Sequence, residues 1–373
     1  MIVAHLDTGR DWRGGQAQIA LLMRGLAARG VTSVLAAPRG PLLERAAAAG
    51  VATYPWNPRG DLDSLAMYHA AVWIWSMRPD VVHLHSARAH ALGVPAARTV
   101  GGKVVVASRR VVIPPGRDPW SRLKYRMPID RWLCVSDAVR RVMRSAGVPE
   151  RILSVVPSGI DVDALRADAS AVREAGRDVR AELGIPRDCA LFTTVASLTS
   201  EKNHAMLLRV ASRMREAHPE VQQVWIGDGM LRAKLERERT RLGLDRVIHV
   251  LGRRDDVAAW VSPAQALLVA SRHEGFCGAA VEAQALGVPV IATAVGGLAE
   301  VVRDGETGIL VPDDDDAAMA AAVISLIADP ARRAAMAARA ASHAEQFSFE
   351  HMADRTLAVY RDAAAGRPPA AAG

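Results

Sequence analysis

The sequence predicts an α/β protein built from two doubly wound parallel sheets, and three observations predict it. Residues 266–292 contain a short apolar run, a glycine-rich turn, helical spacing that Gly287 and Pro289 stop, and a second apolar run. The start of the chain repeats this order, because an apolar run at residues 1–6 precedes a glycine pair and a helical pattern. The 373 residues suffice for two domains with ordinary hydrophobic cores. In such sheets, ligands bind where the strands end.

Apolar runs and helical spacings alternate along the rest of the chain. In the first half they predict strands at residues 1–6, 31–37, 51–54, 103–107 and 133–135, one more strand that ends near His85, and helices at 42–49 and 62–77. In the second half they predict strands at residues 191–196, 224–226, 247–251, 266–270 and 288–292. The polar, alanine-rich residues 164–187 are predicted to connect the two domains, and residues 363–373 are predicted to be disordered.

The composition is that of a folded, soluble protein, with 50% hydrophobic and 23% charged residues. Three cysteines, Cys134, Cys189 and Cys277, are too few and too scattered for a disulfide or zinc framework, so we expect a reducing cytosol. The first residues lack the basic region of a signal peptide, and no window has the roughly 18 to 20 uninterrupted apolar residues of a spanning helix. These features predict a cytoplasmic protein that is at most peripheral on the inner face of the plasma membrane.

The net charge of +7 is concentrated in one region. Residues 101–150 hold eleven Lys or Arg against four Asp or Glu, a difference of seven that equals the excess of the whole chain. Within this region, residues 117–132 mix basic residues with tryptophan and tyrosine, which is typical of a segment that lies on an acidic membrane surface. The alternative is a solvated helix face with a few core residues. Nucleic-acid binding is not expected, because no known binding motif accompanies the basic residues.

Two glutamates, Glu274 and Glu282, stand eight residues apart with a glycine-rich turn between them. Glycines let a backbone approach a diphosphate, helix N-terminal amides favour its charge, and a glutamate in the helix accepts hydrogen bonds from sugar hydroxyls. The spacing alone says little, but its context is specific: GVPVIAT and GG-x-x-E follow, and the turn consists of Gly275, Phe276, Cys277 and Gly278. The stretch resembles the C-terminal signature of the retaining family 4 glycosyltransferases.

This resemblance implies the GT-B fold, in which two Rossmann-like domains face a central cleft and the last helix crosses back to the N-terminal domain. It implies an acceptor-binding domain at residues 1–165 with a helix at about 347–365, and a nucleotide-sugar-binding domain at residues 166–346. The resemblance covers nearly the whole chain and is strongest from about 190 to 312. It is weakest at residues 60–130, where acceptors bind in the family.

The resemblance also implies a donor site in the second domain. Glu282 would hold the ribose hydroxyls, and Glu274 with the amides of residues 276–278 would position the sugar and the diphosphate. Lys202 lies in the stretch SLTSEKN, which is similar to the family pattern G-R-L-x-x-x-K-[GN]. A cation there stabilises the charge of the leaving diphosphate in the transition state. Lys202 and Glu274 are therefore the candidate catalytic residues.

Two further parts of the donor site are implied, one of them altered. Ser197 stands where the family has an arginine, so a second cation for the diphosphate would come from Arg253, from Arg272 or from an arginine of the first domain. In the family, the loop that follows the strand at 247–251 packs on the nucleobase through backbone atoms. Gly252 and Arg253 are accordingly candidate neighbours of the base.

In the first domain, Gly14 and Gly15 form a turn before a helix, which is either a plain connection or a phosphate-binding turn. The resemblance favours the second interpretation, because family members carry a G-G loop there that contacts the donor diphosphate and the acceptor. It also places His85 near the acceptor. Many members carry a histidine after the strand at 103–107, where this chain has Arg109 and Arg110. These arginines contact phosphate or an acidic acceptor, or they are solvated loop charges.

No metal or other cofactor is expected. His83 and His85 share one face of a strand, so a metal site is conceivable, but no third ligand is evident nearby beyond His90. Helix capping explains the acidic pair at 255–256 better than metal binding does, and the acidic run at 313–316 is predicted to be a loop and helix start.

The resemblance implies a retaining, metal-independent enzyme that moves a hexose-type sugar from a UDP- or GDP-sugar to a glycan or lipid-linked acceptor. We expect a role in bacterial cell-envelope glycan synthesis of the lipopolysaccharide kind. One alternative is another GT-B enzyme, such as a phosphorylase or a UDP-sugar epimerase, which would act without this acceptor. The other alternative is a non-catalytic protein that binds sugar nucleotides, which turnover of a donor with any acceptor would exclude.

Overall fold

The computed structural model describes residues 1–116, 118–215 and 218–366, and the chain divides into two compact units. The first unit comprises Met1–Ile160 and the described residues from Phe349 onward, and the second comprises Asp161–Ser348. Each unit contains one parallel sheet with helices between its strands. The predicted class, α/β with two parallel sheets, is therefore confirmed. The sequence predicts the domain boundaries after residues 165 and 346.

The first unit contains a seven-stranded sheet. Its strands are β1 Ile2–Leu6, β2 Thr32–Ala37, β3 Ala52–Pro55, β4 Val81–Leu84, β5 Val104–Arg109, β6 Arg131–Cys134 and β7 Leu153–Val155. Its helices are α1 Gly14–Ala27, α2 Pro41–Ala48, α3 Ser64–Met77, α4 Ala87–Val100, α5 Pro119–Arg126, α6 Asp137–Ser145 and, at the end of the chain, α16 Phe349–Ala365. The strand order is β3-β2-β1-β4-β5-β6-β7.

The strand order reverses direction between β1 and β4. From β1 the chain proceeds to β2 and β3 on one side, and it returns as β4 on the other side. His5 is paired with His83 and Leu6 with Leu84 in the register of these two strands. In open α/β sheets, the carboxyl ends at such a switch point form the crevice in which ligands bind. The residues that follow β1, β4 and β5 are therefore expected to border this crevice.

The last helix, α16, packs on α1 within the first unit. A Cβ on Gly25 would stand 2.6 Å from the Cβ of Ala353, so the two helices approach closely where Gly25 has no side chain. Tyr360 is fully buried and Ala363 is 4% exposed. The predicted disorder from residue 363 is thus wrong for residues 363–365, because apolar positions of α16 are buried against the first sheet. Residues 367–373 lie outside the described residues.

The second unit contains a six-stranded sheet of order β10-β9-β8-β11-β12-β13. Its strands are β8 Ala190–Val195, β9 Val221–Ile226, β10 Ile248–Gly252, β11 Ala266–Val269, β12 Val290–Thr293 and β13 Gly308–Val311. Its helices are α7 Val162–Glu174, α8 Val179–Glu182, α9 His204–Met214, α10 Arg232–Arg241, α11 Val257–Val261, α12 Gly278–Ala285, α13 Leu298–Val301, α14 Asp316–Ala328 and α15 Pro330–Ala344.

The switch point of the second sheet lies between β8 and β11. The turns after these two strands are those of SLTSEKN and of the Glu274 motif.

Residues 164–187, expected to connect the domains, instead belong to the second unit. Val179 and Ile185 are buried together with Trp260 in one apolar cluster, which holds this segment against the second sheet.

The basic segment at 117–132 is folded into the first unit through its aromatic residues. Trp132 is 3% exposed and stacks on Tyr125 with ring centroids 5.5 Å apart. Lys124 is also buried. Arg117 lies outside the described residues, and α5 leaves Arg122, Leu123 and Arg126 exposed. None of the described helices has the length and apolar character that a bilayer crossing requires.

Candidate functional site

Lys202 and Glu274 form an ion pair at the carboxyl edge of the second sheet. Lys202 ends a short 3-10 turn after β8, and Glu274 lies in the turn between β11 and α12. Because β8 and β11 are neighbours in the sheet, these turns meet, and Lys202 Nζ lies 2.5 Å from Glu274 Oε2. Ser271 Oγ donates a hydrogen bond to the same oxygen at 3.1 Å. The structure thus brings together the two residues predicted to be catalytic.

The ion pair is largely shielded from solvent, since the side chains of Lys202 and Glu274 are 25% and 12% exposed. Burial by itself lowers the pKa of Lys202, but the attraction of Glu274 and the hydrogen bond to it outweigh burial, and the pKa lies above its ordinary value. The ammonium group therefore stays charged throughout the neutral range. A fixed cation at this position can stabilise negative charge that develops on a leaving group.

The glycines around Glu274 allow two turns to pack closely. Gly297 N donates to Glu274 O at 2.9 Å, and a Cβ on Gly297 would stand 2.2 Å from Gly275 O. No side chain fits there. Cys277 has φ of 71°, in the left-handed region, directly before α12. Phe276 is 7% exposed and packs edge-on against a second phenylalanine of the same unit. The Phe276 side chain is therefore used in packing and not directed to solvent.

Glu282 lies on α12, one turn after Gly278, and is half-buried. A Cβ on Gly278 would lie 3.9 Å from Glu282 Oε1, so the carboxylate is next to the first turn of the helix. Within the described part of the chain, no group donates a hydrogen bond to this carboxylate. Burial raises the pKa of Glu282. Such a carboxylate can accept hydrogen bonds from the hydroxyls of a ligand.

The other predicted donor-site residues follow neighbouring strands at the same edge. Ser197 is exposed two residues after β8. A Cβ on Gly229 would stand 2.5 Å from Leu198 O, so the turn after β9 packs directly on the turn that carries Ser197. Gly252 ends β10 with φ of 72°, and the exposed Arg253 follows it.

Of the two arginines of the second unit considered for the missing cation, Arg272 is occupied by a carboxylate. Its guanidinium donates to Asp314 Oδ2 at 3.3 Å. Asp314 also accepts hydrogen bonds from Asn203 and Arg209. Arg272 therefore belongs to a network of surface charges.

The two acidic stretches set aside as metal ligands have different roles. Asp256 occupies the N-cap position of α11 but makes no capping hydrogen bond, so the predicted cap is wrong. Its carboxylate instead accepts from Arg254 at 2.6 Å and from Arg177 at 2.7 Å, and these partners hold its pKa below the usual range. Asp315 does cap α14 by accepting from Ala318 N, which confirms the helix start predicted at 313–316.

At the switch point of the first sheet, Arg110 links the glycine turn to His85. Arg110 Nη1 donates to Gly15 O at 2.7 Å, and Nη2 lies 3.4 Å from His85 Nδ1. Burial lowers the pKa of Arg110 to about 10, against the opposing attraction of Asp7. A Cβ built on Gly14 would meet no atom of the described chain within 4 Å, so there is open space beside the turn. Hydrogen-bonding contacts of Arg110 thereby connect three residues that the sequence predicted for the site, Gly15, His85 and Arg110 itself.

Three imidazoles, those of His5, His83 and His85, meet beneath Arg110. His5 Nδ1 lies 2.9 Å from His85 Nε2, and the ring centroids of His83 and His85 are 3.9 Å apart. Tyr360 OH on α16 and Ser108 Oγ hydrogen-bond the two nitrogens of His83, at 2.6 and 2.7 Å. One ligand atom from each of the three histidines lies within 4.8 Å of the others, so among the described residues this is the group that could hold a metal ion.

The chemistry of the histidine cluster favours hydrogen bonding over metal binding. Burial lowers the pKa of His5 to about 3 and the pKa of His83 and His85 well below the usual value, so the three rings are neutral. Neutral imidazoles can bind a cation, but the guanidinium of Arg110 lies next to His85 and would repel one. His90, considered as a third ligand, packs instead against Trp132 with ring centroids 4.9 Å apart.

Arg109 is set apart from Arg110. Arg109 Nη1 donates to Tyr125 OH at 2.7 Å, and its other terminal nitrogen bonds the carbonyl oxygen of Ile113. The two neighbouring arginines, both candidates for the acceptor side or for solvated loop charges, thus have different partners. Sequence reasoning missed His5 and Asp7, although both are polar residues at the carboxyl end of an otherwise apolar strand. Asp7 is 1% exposed, and its Oδ2 accepts from Gly9 N at 3.0 Å and from Gln16 Nε2 at 2.9 Å.

Two family models match the chain, Glycosyltransferase Family 4 at residues 12–164 and Glycosyl transferases group 1 at residues 177–343. The D-inositol 3-phosphate glycosyltransferase 1 of Catenulispora acidiphila is 32% identical over 313 residues, which cover 77% of this chain and 73% of that protein. The chain belongs to the family 4 glycosyltransferases. A D-inositol 3-phosphate glycosyltransferase of Thermomonospora curvata is 33% identical over 239 residues, 61% of this family 4 chain, and that match spans 56% of the relative.

Solved structures share the fold of this family 4 glycosyltransferase. Anabaena HepE in complex with UDP-glucose has a TM-score of 0.83 at 18% identity, and the match covers 97% of this chain and all of that one. A glycosyltransferase from Rickettsia africae has a TM-score of 0.87 at 17% identity, with 98% and 99% covered. At these identities the likeness concerns the fold alone. The predicted GT-B architecture, the family and the class of sugar-transferring enzyme are confirmed.

Proposed function

We propose that this family 4 glycosyltransferase moves a hexose-type sugar from a nucleoside-diphosphate sugar to a hydroxyl group of a phosphate-bearing acceptor, with retention of configuration. The observation that carries the proposal is the arrangement of charged groups at the carboxyl edge of the second sheet. There the Lys202–Glu274 ion pair follows two neighbouring strands, and the carboxylate of Glu282 has no partner in the described part of the chain.

Glu282 is assigned to the ribose of the donor. A half-buried carboxylate without a donor partner is costly in the free protein, and two ribose hydroxyls would satisfy it. The base is proposed to be uracil, because HepE, which has the same fold, was solved in complex with UDP and with UDP-glucose. Gly252 and Arg253 are the proposed neighbours of the base, and Gly275, Phe276, Cys277 and Gly278 would meet the diphosphate through their amides.

Lys202 is assigned to the leaving diphosphate and Glu274 to the sugar. In the free protein each charge neutralises the other across 2.5 Å. A bound diphosphate would share the ammonium group, and its negative charge grows as the bond to the sugar breaks, so Lys202 stabilises the transition state more than the ground state. Glu274 would then be free to accept from sugar hydroxyls. Since Lys202 supplies positive charge, we propose that transfer needs no metal ion, and activity that persists in EDTA tests this point.

The acceptor is proposed to be a small phosphorylated polyol, of which inositol 3-phosphate is the example given by the names of the relatives. Arg110 supports a phosphate partner on the acceptor side. A guanidinium has five N–H donors, and its contacts with Gly15 O and His85 leave others available. The lipopolysaccharide-like acceptor expected from sequence is less favoured, because these relatives are named for another acceptor class. A glycan or lipid-linked acceptor is the second candidate, supported by the basic residues of the first unit.

The three cysteines are consistent with a cytoplasmic location, which we also propose. Cys134, Cys189 and Cys277 are all free thiols, as a reducing compartment keeps them.

The first experiment measures the melting temperature of the purified protein with UDP, GDP, ADP and their sugar forms. A ligand that binds only the folded state raises the melting temperature by mass action. We expect a rise with UDP that is lost in Glu282→Gln and kept in Glu306→Gln, a matched change of an exposed glutamate in the same unit. No rise with any nucleotide would overturn the donor site and favour a protein without this activity.

The second experiment mixes a UDP-hexose with inositol 3-phosphate and follows the products by NMR. Transfer with the anomeric configuration of the donor is the expected result. Release of UDP with free or epimerised sugar, and no dependence on acceptor, would favour the alternative of a UDP-sugar epimerase. Binding of UDP without any turnover would favour a non-catalytic role.

A further inference from the structure

We propose that the outer face of α3 docks this protein on an anionic membrane surface. The helix Ser64–Met77 has fourteen residues, and none of them is Asp, Glu, Lys or Arg. A helix that is mostly apolar around its circumference is normally covered on most of its surface. In the described first unit, α3 is covered on one side only, so the other side needs a partner.

The two sides of α3 differ in burial, and neither side carries a charged residue of the Asp, Glu, Lys or Arg type, although Ser64, His69 and Ser76 are exposed on the outer part of the helix. On the inner side, Trp73 and Ile74 are buried, and Trp73 stacks on Tyr54 with ring centroids 5.8 Å apart. The outer side carries a row that we name the α3 stripe, which is 63%, 63%, 45% and 65% exposed at Leu65, Tyr68, Val72 and Trp75. Successive spacings of three, four and three residues place these side chains on one helix face.

The composition of the α3 stripe fits a membrane interface. Single exposed apolar residues are ordinary, whereas a contiguous row marks an interaction surface. Tryptophan and tyrosine prefer the boundary between lipid and water. Asp63, just before the helix, is used as the cap: its carboxylate accepts from Ala66 N and from Arg59 N. At fourteen residues the helix is about 21 Å long, which suits a helix lying in the plane of the interface and not one crossing it.

Basic residues stand at both ends of α3. The C-terminal end is capped by the exposed Arg78. At the N-terminal end, Asp61 accepts from Lys124 Nζ at 3.1 Å and from Trp120 Nε1 at 3.3 Å, which fixes α5 beside the start of α3. On α5, the exposed residues include two arginines and an apolar residue, Arg122, Arg126 and Leu123.

This charge distribution favours an anionic bilayer over a second copy of the chain. If two copies paired through the α3 stripe, either relative direction of the helices would bring arginines of one copy close to arginines of the other, and like charges repel. Anionic headgroups complement both ends at once. We therefore extend to α3 the membrane contact expected at residues 117–132. There the aromatic residues Tyr125 and Trp132 pack internally, so α5 contributes charge and α3 contributes the apolar surface.

The test is co-sedimentation of the full chain with vesicles of equimolar phosphatidylcholine and phosphatidylglycerol, compared with pure phosphatidylcholine. We expect binding to the anionic vesicles, and weakening by salt. The variant Tyr68→Ser/Trp75→Ser should bind at least about tenfold more weakly, because two exposed apolar side chains are lost. The matched control is Met230→Ser, which removes an 87% exposed apolar side chain of the second unit and should bind like the wild type. Unchanged melting temperatures show that the variants fold.

A second variant tests the charges. Arg122→Gln/Arg126→Gln should bind anionic vesicles more weakly at low salt and differ little from the wild type at high salt. The proposal is overturned if the wild type does not bind, if Met230→Ser loses as much as the stripe variant, or if the charge variant binds normally. It is also overturned if the wild type is a dimer, the stripe variant is a monomer, and the two bind vesicles equally well. The inference does not depend on the donor, since it requires no nucleotide.

Discussion

The ammonium group of Lys202 lies 2.5 Å from the carboxylate of Glu274, although 72 positions separate the residues in sequence. Two neighbouring parallel strands, β8 and β11, bring their turns together at the point where the second sheet reverses its order. The pair combines a charge that can act on a leaving phosphate with an acceptor for sugar hydroxyls. Both groups are held in place before any ligand binds.

Replacing Lys202 should affect both catalysis and stability. In Lys202→Met we expect kcat/KM for transfer to fall by about 100- to 1,000-fold, the usual effect of losing one group that stabilises transition-state charge. The free energy of unfolding should also fall by about 1 to 3 kcal/mol, because Glu274 is left shielded without its cation. Steady-state kinetics and urea unfolding measure the two effects.

Two comparisons make this prediction specific. The double variant Lys202→Met/Glu274→Gln should recover part of the lost stability but none of the activity, because no unpaired charge remains. Lys234→Met, on an exposed lysine of α10, should change neither quantity. Wild-type turnover in Lys202→Met would contradict the assigned role.

Glu282→Gln should make the ligand-free protein more stable at neutral pH. Burial raises the pKa of this carboxyl, so the folded state binds its proton more tightly than the unfolded state does. Wild-type stability therefore decreases as pH rises from the ordinary glutamate value through the raised one, and the uncharged variant avoids that loss. Urea unfolding of both proteins from about pH 4 to pH 8 should show a difference that vanishes at the acid end. A variant less stable at neutral pH would contradict this account.

Arg110→Lys should reduce transfer more than Arg109→Lys. A lysine cannot bridge Gly15 O and His85 together, so the glycine turn loses an anchor that a planar guanidinium provides. Losing a charged hydrogen bond costs about 1.5 to 3 kcal/mol, which corresponds to about 10- to 100-fold in kcat/KM. Arg109 bonds Tyr125 instead, and its replacement should mainly lower the melting temperature. Equal kinetic losses in both variants would show that Arg110 has no special position.

The histidine cluster should make the first unit sensitive to acid. Burial lowers the pKa of His5 to about 3, so below the ordinary value of 6.5 the unfolded state takes up a proton that the folded state excludes. Each such histidine lowers stability by up to about 1.4 kcal/mol per pH unit as pH falls through this window. His5→Gln should therefore lose less stability than the wild type between about pH 6.5 and pH 4. Parallel curves for the two proteins would mean that His5 is charged in the folded state.

Local sequence patterns predicted most elements of the fold, with errors where polar residues are buried. The strand predicted at 224–226 in fact begins at Val221. The prediction started too late because the polar residues Gln222 and Gln223 interrupt the apolar run. Gln223 is 1% exposed and accepts from Trp225 Nε1 at 3.1 Å. A hydrophobic pattern cannot reveal a buried polar residue whose hydrogen bonds are satisfied, because those bonds are made in three dimensions.

The same limit applies to the candidate site, of which sequence patterns could indicate only the residues that lie in local motifs. Lys202, Glu274 and Glu282 lie in contiguous motifs, so their residue types and spacing were visible. His5 was missed as the partner of His83 and His85, because only the strand order shows that β1 and β4 are adjacent. Nor could the sequence separate Arg109 from Arg110. Consecutive residues at the end of a strand point in different directions, and their partners come from other elements.

The sequence by itself determined the family, the alternation of strands and helices, and the chemistry of the motif that contains Glu274 and Glu282, because each of these depends on residues close together in the chain. The tertiary structure decided which charges meet, that the carboxylate of Glu282 receives no hydrogen bond from the described residues, and which face of α3 stays exposed. Those properties depend on strand order and burial. Both arise from contacts between distant segments, and burial sets the cost of a charge or of exposed apolar surface.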